Sequence, residues 1–355
     1  MSSPVQSLPN SEHPGGEILP PARILITGAS GLLGRSVAAH LAELGYQVTT
    51  FQRSPSSLET VRDIRGSLTD PQAVQAAVEG QDAIIHMAAK VSVSGRREEF
   101  EQVNILGTER IFNAAWAAGV QHVLYVSSPS VAHGGSSLVG APAAAADPEK
   151  AQGHYAQTKA EAELIAEARG SAGTSVLIMR PHLVWGPGDG QLTARIVDRA
   201  RSGRLPVLGS GAPLVDTLYI RNAVEAFAAG LRRLPLIAAE QPVAGRRLVV
   251  TNGEPRPIGE LLAGIAEAGG APRPRFRVPA SLAAAAGSVI EKLWAVTGPH
   301  EDEPPMTRFL AEQLSTAHWF DQRHTQQVLQ WRPRISIDQG LAELAAHVQR
   351  TGGVL

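Results

Sequence analysis

The sequence predicts an α/β protein, a doubly wound parallel sheet with a smaller C-terminal α/β region laid over it. Three observations carry this. A glycine-rich turn joins the first apolar run to the first helical pattern. Short apolar runs then alternate with helical stretches as far as residue 181. Beyond 182 that alternation weakens and turn residues cluster. Strands alternating with helices argue for a parallel sheet covered on both faces.

The first unit sets the pattern. Residues 22–27 read as a strand, followed by Gly28-Ala-Ser30-Gly31-Leu32-Leu33-Gly34. Leu32, Leu33, Val37, Leu41 and Leu44 recur at helical spacing, Gly45 ends the helix, and 46–51 read as the next strand. In such a turn, glycines let the backbone approach a pyrophosphate. The helix N-terminus adds N–H groups and positive partial charge. This points to a Rossmann-type dinucleotide site, with contacts expected at Gly28, Ser30, Gly31, Leu32, Leu33 and Gly34. The second strand ends Phe51-Gln52-Arg53-Ser54, with no carboxylate for a ribose 2′-hydroxyl. Arg53 offers a bidentate contact to a 2′-phosphate and Ser54 a further hydrogen bond, so NADP(H) is expected over NAD(H).

Further strands are predicted at 83–86, 123–126 and 176–179, with helices near 71–79, 98–118 and 154–169. Residues 134–153, rich in Gly, Ser, Ala and Pro, read as a loop placed to act as a lid. After the turn cluster Trp185–Asp189, strand-like pieces occur at 217–220 and 247–251, and a helix at 280–297. The expected organisation is a disordered tail over 1–20 and a dinucleotide domain over 21–181 with contributions from 216–251. A substrate-binding region fills 182–215 and 252–355.

The helix at 154–169 carries Tyr155-Ala-Gln-Thr-Lys159, which sets tyrosine and lysine one turn apart on one face. A nearby ammonium stabilises a phenolate, so Lys159 is expected to lower the pKa of Tyr155 and fit it for acid/base work on a carbonyl–alcohol pair. The strand 123–126 ends in Ser127-Ser128-Pro-Ser130, which brings a hydroxyl to the crevice.

Composition excludes other classes. The 355 residues hold 32 Lys+Arg against 33 Asp+Glu, so bulk electrostatics do not support nucleic-acid binding. With no cysteine, a disulfide scaffold, thiolate catalysis and cysteine-based metal sites are excluded. The 11 histidines show no helical pair with carboxylate support, so no metal is expected. No transmembrane run and no signal-peptide pattern is present, and a cytoplasmic location is expected.

Together these residues resemble the extended short-chain dehydrogenase/reductase family from about Arg23 to the end. Thr27–Gly34 resembles its TGxxGxxG motif, and His86-Met-Ala88-Ala89 resembles its HxAA wall. Asn104–Thr108 resembles NxxGT, and Arg180-Pro181 with Gly186-Pro187 resembles RPxxxxGP. The resemblance implies a catalytic set of Ser128, Tyr155 and Lys159, with Val131 selecting Ser128 among the serines. It extends the expected cofactor contacts to Leu68, Ala88, Ala89, Lys90, Asn104, Ser127, Tyr155, Lys159, Pro181, Leu183 and Val184. Val215 stands where nucleotide-sugar members carry a diphosphate-holding arginine, which disfavours a UDP-sugar enzyme. Ser67 also stands where many relatives have an aspartate near the adenine.

The remaining features are similar to the 3β-hydroxysteroid dehydrogenase branch. The segment 303–320 is most similar to bacterial 2-alkyl-3-oxoalkanoate reductases of long-chain olefin biosynthesis. The implied reaction is NADPH-dependent reduction of a β-keto acid with two alkyl arms. Trp185, Trp294 and Trp319 are open as cleft or core residues, and His182 or Arg308 as carboxylate partners. A 3β-hydroxysteroid or sterol-4-carboxylate dehydrogenase is the near rival. A non-catalytic NADP-binding sensor is the rival of another class, and the 280–297 helix leaves a membrane-surface role open. A homodimer is expected through the helices 100–118 and 154–169, whose alanines permit close approach.

Overall fold

The protein is described by a computed structural model over residues 16–92, 95–297 and 314–353, with the helix path alone at 289 and 291–297. The strands in chain order are β1 (Arg23–Thr27), β2 (Gln47–Gln52), β3 (Arg62–Arg65), β4 (Ala83–His86), β5 (His122–Val126), β6 (Leu138–Ala141) and β7 (Ser175–Pro181). They continue with β8 (Val184–Trp185), β9 (Val207–Leu208), β10 (Leu214–Val215), β11 (Leu218–Tyr219), β12 (Arg247–Val250), β13 (Arg256–Pro257), β14 (Arg277–Val278) and β15 (His318–Phe320). The helices used below are α1 (Leu32–Glu43), α2 (Pro71–Val78), α3 (Arg97–Phe100), α4 (Leu106–Ala117), α5 (Gly153–Ser171), α6 (Leu192–Arg201), α7 (Ile220–Glu240) and α8 (Ile258–Ala268). Three more follow: α9 (Ala280–Thr297), α10 (Arg323–Leu329) and α11 (Ile337–Arg350).

Seven strands form one parallel sheet in the order β12-β7-β5-β4-β1-β2-β3. Ile24, Leu25 and Ile26 of β1 and Ile84 and Ile85 of β4 are fully buried, because helices cover both faces. That is why the central strands read as unbroken apolar runs. The edge strand β3 has the sequence Arg-Asp-Ile-Arg and no such signal, and it was not expected. Local chemistry starts α2 where anticipated: Asp70 accepts from the N–H groups of Gln72 and Ala73 at 3.0 and 3.2 Å, with Pro71 in the first turn.

Helix α7 was also not anticipated. It packs on β5, β7 and α1, so it belongs to the layer over the large sheet. Gly230 makes room for that approach, since a Cβ there would lie 2.9 Å from Met179 Sδ. The strand expected at 217–220 is correspondingly short: β11 ends at Tyr219, and Ile220 already begins the helix. The run at 247–251 appears as β12 and pairs with β7 in the large sheet.

Two expectations are corrected. The tail does not reach residue 20. Ile18 is buried, its N–H donates to Arg232 O at 2.8 Å, and Tyr46 Oη donates to Ile18 O at 2.8 Å. Residues 1–15 lie outside the described residues. The stretch 134–153 is not a plain loop, because it contains β6. That strand joins a second sheet, β13-β10-β15-β6, and pairs in parallel with β15, Leu138 lying opposite His318, 180 residues further on. No local pattern of 138–141 announces a partner so distant.

Candidate active site

The C-terminal ends of β1, β4, β5 and β7 open on one edge of the large sheet, and the expected site residues gather there. The turn after β1 is tightly constrained. Gly28 has φ +83°, and a Cβ on it would lie 2.8 Å from Ala88 Cα. A Cβ on Gly34 would lie 2.4 Å from Gly28 O. Gly31 differs: a Cβ there would meet only Gly28 O, at 3.8 Å. Gly31 also caps α1 without any side-chain hydrogen bond, so the first N–H groups of α1 have no side-chain acceptor from the cap.

A polar chain behind the turn fixes its neighbours. Thr27 Oγ1 accepts from the N–H groups of Met87 and Ala88 at 3.1 and 3.0 Å, and lies 2.8 Å from His86 Nδ1. His86 Nε2 lies 3.1 Å from Thr108 Oγ1, which donates to Asn104 O at 2.6 Å. The donors therefore run Thr27 to His86 Nδ1 and His86 Nε2–H to Thr108, with a neutral imidazole. Burial and the Lys159 charge agree, holding His86 down to about 3. Asn104 uses its amide on the chain itself, accepting from Lys90 N–H at 2.7 Å and donating to Lys90 O and Thr158 Oγ1. Lys90 Nζ pairs with Glu99 at 2.6 Å. Asn104 and Lys90 thus brace the wall that Ala88 and Ala89 begin. Leu68 is buried beneath Gly107.

At the end of β2, Gln52 Oε1 accepts from Ala29 N–H at 3.3 Å and its amide nitrogen bonds Asp63. Gln52 thereby ties the glycine turn to β3, while Arg53 and Ser54 beyond it are exposed.

Ser127, Ser128, Tyr155 and Lys159 converge from β5 and α5. Tyr155 and Ser128 line the same cavity, with the Ser128 hydroxyl near enough to the phenol to pull its pKa down. Ser128 Oγ also lies 2.9 Å from Ser130 Oγ. Lys159 Nζ donates to Tyr125 Oη and Val126 O, both at 2.7 Å. Burial pushes Tyr155 up to about 12, with the Ser128 hydroxyl pulling the other way. Burial likewise lowers Lys159 to about 7, against the raising charge of Glu163. The expected lowering of the tyrosine by the lysine is therefore corrected: here the Lys159 amine is turned to Tyr125 and Val126 O, and desolvation dominates both groups. Glu163 is itself buried against Arg180, whose Nε donates to Glu163 Oε2 at 3.0 Å.

Beside Ser128 and Tyr155 lies a cavity of about 270 Å³. Leu192, Ile196, Ile258, Leu261, Leu262, Ile265, Leu314 and Phe320 give it apolar walls, and Pro181 and Leu183 also line it. Leu183 holds φ +45°, a strained conformation for a leucine, at the turn from β7 to β8. His133, His182 and His318 line the cavity too. Of these only His182 was weighed from sequence: His133 follows the turn after Ser128, and His318 is brought in by the distant β6–β15 pairing. Trp185 is core: it is fully buried, donates to Thr217 Oγ1 at 3.0 Å and stacks on Tyr219. The side chain of Trp294 and all of Arg308 lie outside the described residues.

The residues present suit a nicotinamide dinucleotide. Gly31 leaves room beside the first helix N–H groups, which no cap side chain accepts, and Ser127 Oγ is buried without a partner among the described residues. A hydride donor at that edge would sit between the glycine turn and the Ser128–Tyr155 pair.

Comparison with known proteins agrees. Residues 24–238 match the model of the NAD dependent epimerase/dehydratase family. A 2-alkyl-3-oxoalkanoate reductase of Stenotrophomonas maltophilia is 40% identical over 329 residues, covering 91% of this chain and 98% of the relative. One from Shewanella oneidensis is 34% identical, covering 90% and 85%. The NAD complex of Thermus thermophilus UDP-glucose 4-epimerase has a TM-score of 0.67 at 21% identity, covering 92% of this chain and 99% of that one, a likeness of fold alone.

Proposed function

The chain belongs to the NAD dependent epimerase/dehydratase family and is an NAD(P)-dependent oxidoreductase of the extended short-chain type; on that premise we propose that it reduces the 3-keto group of a 2-alkyl-3-oxoalkanoic acid with NADPH. The product is a 2-alkyl-3-hydroxyalkanoic acid, and the step belongs to cytoplasmic long-chain olefin biosynthesis. The observation that carries this reading is the cavity: apolar walls for two alkyl arms, ending on the hydroxyls of Ser128 and Tyr155.

The cofactor, when bound, supplies the hydride. The glycine turn and the α1 N-terminus would hold its pyrophosphate, Ser127 would contact it, and exposed Arg53 and Ser54 would hold the 2′-phosphate. Ser128 donates a hydrogen bond to the ketone oxygen and fixes its position. Tyr155, pushed up to about 12 and so protonated across the neutral range, would give its proton to that oxygen. Lys159 holds α5 against β5 through Tyr125 Oη and Val126 O and so fixes the helix face that carries Tyr155. The apolar walls exclude water from the transfer. Trp116 and Leu164 are exposed on α4 and α5, which supports pairing of two copies across these helices.

The test is oxidation of a 2-alkyl-3-hydroxyalkanoic acid by the purified protein with NADP⁺ or NAD⁺, beside a 3β-hydroxysteroid. Turnover of the hydroxy acid with at least about tenfold preference for NADP⁺ is expected, the scale of one charge-assisted contact. Turnover of the steroid alone moves the substrate to the sterol class. Turnover with NAD⁺ alone removes Arg53 from the site.

A further inference from the structure

The ketone and alkyl arms of the proposed substrate have partners in the cavity, but its carboxylate still needs one. An isolated carboxylate is costly to bury, so a site of this kind must offer a cation or strong donors. Among the described residues lining the cavity there is no lysine or arginine. Three histidines line it instead, drawn from three separate segments. His133 follows the turn 129–132, His182 lies between β7 and β8, and His318 starts β15.

These side chains form a cluster. His182 Nε2 lies 3.0 Å from His318 Nδ1, with ring centroids 5.1 Å apart and nearly perpendicular. The His133 and His318 rings lie 6.4 Å apart, edge to face. All three are buried. Among the described residues no three His, Cys, Asp or Glu groups converge as metal ligands do, so the cluster is not a metal site there.

Resting on the keto-acid reading above, we propose that the His182–His318 pair, with His133 beside it, is the carboxylate-binding end of the substrate cavity and takes up a proton when the acid binds. One histidine of a close pair accepts the incoming proton, and the resulting imidazolium donates to the carboxylate. No bond other than N–H forms, and the proton comes from solvent.

The groups facing the pair are few. From α5 comes Tyr155, pushed up to about 12 and so uncharged. From β15 Phe320 stacks edge-on against His182 at 5.3 Å. From the link between β10 and β11 comes Asp216, whose N–H donates to His318 O and whose Oδ2 accepts from Phe320 N–H at 3.0 Å. Burial and the neighbouring His318 and His133 hold His182 well below the ordinary histidine value. His182 is therefore neutral in the free site near pH 7, and it is the ring that gains a proton when an anion arrives beside it. Pairing also keeps the acid ionised. An apolar cavity by itself pushes a carboxyl toward its neutral form, and the neutral form of a β-keto acid is the one that loses CO₂ through a cyclic hydrogen bond.

Binding, not turnover, tests this. The probe is 2-butyloctanoic acid, with its methyl ester as control, titrated calorimetrically into full-length protein saturated with nicotinamide cofactor. Measurements at pH 7 use two buffers of different ionisation enthalpy, and the acid carries ¹³C at its carboxyl. The expected result is net uptake of more than about half a proton for the acid and none for the ester, with the bound ¹³C signal that of an anion. His182→Asn and His318→Asn are each expected to weaken the acid about tenfold while moving the ester less than about twofold.

No proton uptake overturns the proposal. So does uptake with the ¹³C signal of a neutral acid, because the proton then resides on the ligand. Equal losses for acid and ester assign the histidines a packing role only. The wild-type measurement needs no variant to fold. Proton-linked anion binding without turnover of the hydroxy acid would sink the reaction proposed above and leave this site standing; the reverse result would do the opposite.

Discussion

The two sides of the crevice are built in opposite ways. On the cofactor side, Gly28 to Gly34 and Ala88 to Lys90 are short segments whose own turns nearly complete the wall. Its polar atoms are joined in a chain from Thr27 through His86 and Thr108 to Asn104. On the substrate side, the cavity takes residues from 128–138, 181–196, 217, 258–265 and 314–320, and its polar end is a histidine cluster among apolar walls. A dinucleotide needs backbone N–H groups at fixed positions, which a local motif can supply. A branched acid needs volume and one polar end, which only distant segments folded together can enclose.

The sharpest way to break this contrast is at the point where both sides meet. Tyr155→Phe should lower kcat about 10²- to 10⁴-fold, the usual worth of a general acid, while leaving cofactor affinity within about threefold. Stopped-flow turnover beside fluorescence titration of the cofactor measures both. A variant that still turns over within tenfold of wild type would remove Tyr155 from the chemistry.

Within the cofactor side, two glycines should separate fold from binding. Gly34→Ala forces a Cβ against Gly28 O and should cost on the order of 1–3 kcal/mol, read as a lower melting temperature without cofactor. Gly31→Ala has room in the protein and should leave that melting temperature within about a degree. It should nevertheless weaken cofactor binding about tenfold, because the methyl group would enter the space proposed for the pyrophosphate. If both variants melt alike and bind alike, the assignment of Gly31 to the pyrophosphate fails.

The smallest effect lies under the substrate side. Asp216 is fully buried, and burial pushes it up to about 6 despite the hydrogen bond from Phe320 N–H. Its folded value exceeds the ordinary 3.8, so the folded state holds the proton more tightly. The stability this gives is fully present below about pH 3.8 and is lost as pH rises through about 6. Asp216→Asn should therefore flatten stability between about pH 4 and 6 and raise it relative to wild type at pH 8, measured by denaturant melts. Parallel curves for the two proteins would show that Asp216 does not titrate in this window.

What the sequence determined by itself follows from local cause. β1, β4, β5 and β7 were legible as apolar runs because both their faces are covered. Gly28 and Gly34 were legible because the turn admits no side chain there. Tyr155 and Lys159 share a face because helical spacing puts residues four apart together. Tertiary structure alone decided the rest. β3 is a charged edge strand that pairs only because β2 offers it hydrogen bonds. Lys159 turns to Tyr125 and Val126 O, and burial rather than the lysine governs Tyr155. β6 and His318 come together across 180 residues of chain, and His318 thereby joins His133 and His182 in one cavity. Local pattern carries the information for hydrogen bonds within a turn or helix, whereas a cavity and the desolvation inside it exist only once remote segments have closed around it.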